Sequence, residues 1–277
     1  TLSDVTFTAD VGVTVAGFTF NAGHIYGECY DYVRDIEYTS GSAYYKYSSL
    51  KDICFKGLTI TGQFDAKLYL EGSTVKNVTF DGCTFTGTTA DSNNAAIKFL
   101  ADSQYFTDVI VKDCSIDDYY QGVYISGVDG VEIGNNTISN TVHNAIALQS
   151  KDDGNPAKGT IIVEENYISA VNDRAIRLNH VGNADIAINN NVMVNCGNSS
   201  GQLIKAESVA DAANVDLEFN YWGVEDVATA VSNLTAPSTV GITSWSNENI
   251  ELLDDYIADG YELSDGEIEF IDSIEIA

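Results

Sequence analysis

Apolar and polar positions alternate along this chain in a pattern that keeps returning. In Val131-Glu132-Ile133-Gly134-Asn135-Asn136-Thr137-Ile138, two apolar residues stand at alternate places. A two-residue polar turn follows, then an Asn, then an apolar residue two places on. Residues 78–85 repeat this with Cys83 in the Asn slot, and 109–116 repeat it with Cys114. Residues 161–168, 186–193 and 215–222 carry Asn166, Asn191 and Asn220 there, whereas two earlier copies, 13–20 and 53–60, carry Phe18 and Leu58. From Ile53 the copies begin at 53, 78, 109, 131, 161, 186 and 215, the spacing of a solenoid coil. Alternate residues of a strand face opposite sides, so Val131 and Ile133 point one way and Glu132 the other. One copy has too few apolar residues to close a core, but copies stacked on one another can close a continuous one.

A further alternating run follows the copies after a short loop: Leu68-Tyr69-Leu70, Ile97-Lys98-Phe99, Val123-Tyr124-Ile125, Ile146-Ala147-Leu148 and Ile176-Arg177-Leu178. The pattern therefore predicts three short strands per coil with no helix between them. In this the chain resembles the right-handed parallel β-helix proteins of the pectate-lyase-like class. Asn220-Tyr221-Trp222-Gly223 is similar to the ending those chains often show at their last coil. The resemblance covers about residues 1–245 and implies an all-β fold, a single right-handed parallel β-helix. It implies no single activity, because the architecture carries lyases, hydrolases, epimerases, phage tailspikes and adhesins.

Three stretches depart from the repeat. Residues 24–47 hold His24, Cys29 and seven tyrosines, and are expected as an irregular insertion. Its rings either contact sugars, stacking on pyranose faces with the hydroxyl kept wet, or cover the open edge of the first coils. Residues 224–234, with Glu225 and Asp226 in their first turn, predict a short helix capping the C-terminal end of the core. Residues 246–277 are strongly acidic and are expected as a tail or a final strand pair. The loop at 149–159 lacks the alternating ligands and closing Glu of a calcium loop and is expected as surface.

Charge narrows the partners. The chain has 41 acidic and 13 basic residues, a formal net charge of −28. Such a field repels nucleic acid and anionic membranes while tolerating neutral glycans and divalent cations. No apolar run approaches the length of a membrane span. The chain opens on Thr1-Leu2-Ser3 without a signal peptide, as a mature or excised fragment would. Five cysteines with no Cys-x-x-Cys argue against a disulfide framework or a zinc site. Cys83 and Cys114 should stack on neighbouring coils about 4.8 Å apart, within disulfide reach but expected as buried thiols. The Asn column is assigned to the fold, its amides bonding the turn backbone and each other.

Chemistry belongs where outward side chains of neighbouring coils line up. Aligned on the apolar pair of the third strand, Tyr120, His143 and Asp173 form one column, Gln121, Asn144 and Arg174 the next, and Tyr124, Ala147 and Arg177 an outward one. With Asp118 in the first of these loops, an acid, an imidazole and two guanidinium groups converge across three coils. A hydrolase would use a pair of carboxylates as acid and base. A lyase or epimerase would use Tyr120, His143 or an arginine as base, with Arg174, Arg177 or a bound Ca²⁺ stabilising the enediolate. The Asn-Thr-Asp, Gly-His-Gly and Arg-Ile-Lys elements of the polygalacturonases that this chain resembles are absent. A surface network of ion pairs explains the same residues without catalysis.

These observations favour an extracellular or surface-displayed module, adhesin-like, binding a carbohydrate or surface partner through Tyr124, Gln121 and Asn144, without a cofactor. A polysaccharide-active enzyme working through Asp118, Tyr120, His143, Asp173, Arg174 and Arg177 is the alternative; it predicts a concave groove at that face. Ice binding is a remote third, from outward Thr19, Thr59, Thr84, Ser115 and Thr137, because the column ends in Tyr167, Val192 and Tyr221. The chain is expected as a monomer or, in the tailspike manner, a trimer.

Overall fold

The computed structural model describes residues 5–6, 13–16, 19–28, 30–32, 45–47, 49–68, 74–88, 94–101, 104–150, 155–209, 214–217, 220–223, 231–232 and 240–241. Three parallel ladders run the length of these segments. The first stacks Val13–Ala16, Ser49–Lys56, Thr74–Asp81, Phe106–Lys112, Val128–Gly134, Ala157–Glu164, the second half of Arg174–Asn189, Asn214–Asp216 and Val240–Gly241. The second stacks the start of Thr19–Glu28, the start of Thr59–Leu68, Thr84–Thr86, Ser115–Asp117, Thr137–Ser139, Tyr167–Val171 and Val192–Cys196. The third runs from Val5–Thr6 through the ends of Thr19–Glu28 and Thr59–Leu68. It continues through Ala95–Ala101, Gln121–Ser126, Asn144–Gln149, the first half of Arg174–Asn189, Ile204–Val209 and Val231–Ser232. The molecule is a parallel β-solenoid.

Register follows the repeat. Ile53, Val78, Val109, Val131, Ile161, Ile186 and Val215 are partners in one unbroken column of the first ladder. The two-residue turn after them has a physical cause. The residue before the slot takes the left-handed conformation at Gly57, Gly82, Asp113, Asn135, Glu165 and Asn190, with φ between 52° and 63°. Gly adopts this conformation freely, and Asn and Asp more readily than other residues. Reversal there swings the slot residue inward. In the third ladder the inward column Phe64–Ile97–Val123–Ile146–Ile176–Ile204 is buried throughout.

In the slot the side chains form one hydrogen-bonded line. Asn136 donates Nδ2 to Asn166 Oδ1 at 2.9 Å, Asn166 to Asn191 at 2.9 Å, and Asn191 to Asn220 at 3.0 Å. Each amide also donates to the backbone carbonyl of the preceding coil: Asn136 to Val111, Asn166 to Ile133, Asn191 to Val163 and Asn220 to Ile188. Each Oδ1 also accepts the slot N–H of the coil before, so buried turn groups that would be orphaned are paired.

The described residues bear on three expectations. The third strand of the coil that begins at Ile53 is not Leu68-Tyr69-Leu70. It is the end of Thr59–Leu68, where Phe64 faces Ile97, because second and third strands run on there without an intervening loop. The insertion expected at 24–47 begins later. His24 to Glu28 are rungs of the third ladder, and beyond them Tyr30–Tyr32 pairs antiparallel with Tyr45–Tyr47. The capping helix expected at 224–234 lies largely outside the described residues. Its described part, Val231–Ser232, is a strand laid on Ile204 and Lys205, and no helix occurs among the described residues. The acidic stretch 246–277 lies outside them altogether.

Candidate functional site

The loops before the third ladder bring the predicted columns together. Asn144 is the rung partner of Arg174, and Val123 of Ile146, which sets Gln121 beside Asn144 and places His143 between Tyr120 and Asp173. The rings of Tyr120 and His143 stack at 5.1 Å with 9° between their planes. Each ring therefore covers one face of the other.

Both ring nitrogens of His143 have partners. Its Nε2 lies 3.1 Å from Asp173 Oδ2, and its Nδ1 lies 2.6 Å from the Asn144 amide nitrogen. Asn144 Nδ2 donates also to Gln121 Oε1 at 3.2 Å. An amide donor at Nδ1 makes that nitrogen the acceptor and leaves the ring proton on Nε2, facing the carboxylate. Burial pushes the imidazole below its ordinary pKa. Asp173 works against this, while Arg174 and Arg177 add to it. His143 is therefore a neutral, fully engaged ring near neutral pH.

The arginines are engaged as well. Arg174 pairs with Asp173 through Nη1 and donates Nε to Gln202 at 3.2 Å. Arg177 grips Glu207 Oε2 through Nε at 3.0 Å and Nη2 at 2.6 Å, and Lys205 pairs with the other oxygen of the same carboxylate. Lys205 foremost and Arg177 with it hold Glu207 down to about 2. Tyr124 accepts a hydrogen bond from Gln149 at 2.7 Å, and Ala147, its outward rung neighbour, is wholly buried. Asp118 stands apart. It occupies a left-handed turn position with φ 64°, its N–H donates to Ser139, and among the described residues no hydrogen bond or ion pair ties its carboxylate to the cluster.

Sequence reasoning missed three members of this face, Gln202, Lys205 and Glu207. The signal was the apolar run Leu203-Ile204-x-Ala206, which continues the third ladder one coil further. It also missed that Tyr119, between the predicted Asp118 and Tyr120, is a core residue. Its ring lies beneath Gly87, where a Cβ would come within 2.7 Å of it, and its hydroxyl donates to the Gly62 carbonyl. A cleft among the described residues lies elsewhere, on the outer face of the first ladder. It encloses about 270 Å³ between Asp108, Asp129, Glu132 and Thr160, over Gly130, and none of the predicted site residues lines it. No cluster of three or more metal-ligating side chains occurs among the described residues. The outward column of the second ladder keeps Thr59, Thr84, Ser115 and Thr137 in register and exposed, then passes to Tyr167 and to Val192, which is buried.

One known family matches: the model described as a right handed beta helix region covers residues 36–220. No curated protein and no solved structure matches the chain.

Proposed function

This chain belongs to the right-handed β-helix family, and from that premise we propose that it is an extracellular or surface-displayed binding module whose third-ladder face takes a carbohydrate. The observation that carries this reading is the mutual occupation of the ionisable groups there. Both nitrogens of His143 are taken, by Asp173 and Asn144, and Arg177 is doubly bonded to Glu207. A general base needs a free lone pair aimed at the substrate, whereas recognition needs side chains already fixed in place. Tyr124 and Gln121 present hydroxyl and amide edges among the charged groups, a donor and acceptor mix suited to sugar hydroxyls; Asn144, expected beside them as a ligand contact, is wholly buried and instead holds Gln121 and His143 from below. The field of −28 would keep such a module apart from nucleic acid and anionic membranes.

A second reading is favoured by one distance. Asp173 lies 3.1 Å from His143 Nε2, and a substrate that displaced the Asn144 amide would meet an imidazole oriented by a carboxylate. In that reading the chain is a polysaccharide-active enzyme.

A panel of neutral and uronate polysaccharides, with and without Ca²⁺, separates the two. Retention of the protein on one glycan, lost in Arg177→Ala and without new reducing ends or unsaturated uronate absorbance, is the outcome expected. Turnover that disappears in His143→Ala would replace binding by catalysis. Neither retention nor turnover on any glycan would remove the carbohydrate reading.

A further inference from the structure

The hydrogen bonds around His143 have a direction, and Asp173 is their fixed end. Its carboxylate, paired with Arg174, offers only acceptors, so His143 Nε2, 3.1 Å away, has to bring the proton. A neutral ring carries one proton, which leaves Nδ1 as an acceptor. The atom 2.6 Å from Nδ1 is accordingly the Asn144 amide nitrogen and not its oxygen. That nitrogen has a second hydrogen, and Gln121 receives it at 3.2 Å. A donor there demands the Gln121 oxygen, so Oε1 is turned towards Asn144 and the Gln121 N–H₂ is left over. Gln121 is half-buried, and its Nε2 has no hydrogen-bond partner among the described residues. The charge on Asp173 thus decides, through His143 and Asn144, that the face offers N–H donors at Gln121.

The line has one other self-consistent state. A protonated His143 donates from both nitrogens, and Nδ1–H would then meet the Asn144 N–H₂ donor against donor. The amide has to turn over. Its oxygen then accepts from Nδ1–H, and accepts from Gln121 once that amide turns over too, sending its N–H₂ inward and its carbonyl outward. Asn144 is wholly buried, and in the first state its Oδ1 has no partner. In the second state Nδ2 takes that place. Each state leaves one end of the buried amide unpaired, so burial does not hold it one way and the proton on His143 decides. The coil before His143 brings the Tyr120 ring and Gln121 against it, and the coil after brings Asp173, Arg174 and Arg177. Burial foremost, and the two guanidinium groups with it, oppose the proton that Asp173 favours, so the first state is held near neutral pH.

We propose that Asp173, His143 and Asn144 are positioning residues that set which end of the Gln121 amide meets the ligand: the N–H₂ while His143 is neutral, the carbonyl once it is protonated. The inference rests on the carbohydrate reading for what Gln121 meets. Near neutral pH the face selects an acceptor at Gln121, a hydroxyl lone pair or a carbonyl oxygen. In acid it selects a donor, a hydroxyl or an amide N–H, and a sugar carbonyl that bound before is turned away.

Nitrogen NMR of the labelled full chain, free of any glycan, tests this. At neutral pH His143 should be the Nε2–H tautomer. As pH falls, Nδ1 should gain its proton, and the Gln121 side-chain N–H₂ signals should shift with the same midpoint. Asn144→Asp puts acceptors where Nδ2 stood. It should hold His143 protonated on both nitrogens at neutral pH and place the Gln121 signals at their acid positions, an effect that a merely structural role would not produce. An Nδ1–H tautomer in the parent at neutral pH would overturn the proposal. So would Gln121 signals that stay still while His143 titrates, or that keep their parent positions in a folded Asn144→Asp chain. If that variant does not fold, the parent titration decides alone. Loss of glycan retention with the tautomer and titration as expected would strike the carbohydrate reading and leave the polarity of Gln121 standing.

Discussion

The two halves of the solenoid solve the same packing problem with different side chains. In the earlier coils the interior is aromatic. Phe80 lies 5.0 Å from Phe55, 4.8 Å from Phe64 and 6.0 Å from Phe85, and Phe99 meets Phe106 at 5.0 Å. The slot there holds Leu58, Cys83 and Cys114. In the later coils the interior is aliphatic, Ile133, Ile161, Val163, Ile186 and Ile188, and the slot holds buried asparagines. Aromatic volume fills the earlier coils from their walls, so their turns need only a small soft side chain. In the later coils smaller side chains are joined by a line of amides that also pairs the turn backbone. Shape holds one half and hydrogen bonding the other.

The comparison can be broken at its strongest points first. Phe80→Ala should destabilise the chain most, by about 3–5 kcal/mol, the cost of deleting a fully buried ring; denaturant unfolding measures it. Asn166→Ala follows. It strips a partner from the Ile133 carbonyl, from the Asn136 N–H and amide, and from Asn191. At about 1–3 kcal/mol for a buried polar group left unpaired, a loss near the top of that range is expected. If Phe80→Ala proved the milder, the division between the halves would fail. Cys114→Asn extends the amide line one coil and should change stability by less than about 1 kcal/mol, because each polar atom it adds meets a partner.

The smallest effects belong to the third-ladder face and to pH. Lys205 and Arg177 depress Glu207, so the stability it contributes is present above the ordinary glutamate range and is lost as pH falls towards about 2. A Glu207→Gln variant should melt below the parent at neutral pH and converge with it near that limit. His143 also sits below its ordinary value, through burial. Its neutral form therefore favours folding above the unfolded-state value near 6.5, and that contribution fades as pH drops through the lower folded value. In His143→Gln the melting temperature should depend less on pH across that window.

Much of this was legible in the sequence, and the reason is geometric. Counting from the apolar pair of each third strand places Tyr120, His143 and Asp173 in one column, and the ladder keeps that count because a slip of one residue would expose Ile146 or Ile176. What was not legible depends on side-chain direction near corners. Tyr119 turns inward because the preceding coil offers Gly87 there, and nothing in its own loop announces that. The engagement of His143 likewise depends on which way the Asn144 amide faces, a rotamer that no pattern encodes. The cleft over Gly130 arises where the first ladder's left-handed column passes from Asp108 to a residue with no side chain. It is a step between coils rather than a motif.

Successive slot residues are separated by 31, 22, 30, 25 and 29 positions, yet their hydrogen bonds differ by no more than 0.5 Å. The chain thus measures itself once per coil, at the turn, and is indifferent to how many residues it spends between readings. An error of length in one loop is cancelled at the next slot instead of propagating along the axis. Loops on this molecule are free to diverge independently of one another, so evolution, or an engineer, can rewrite one outer surface without renegotiating the rest.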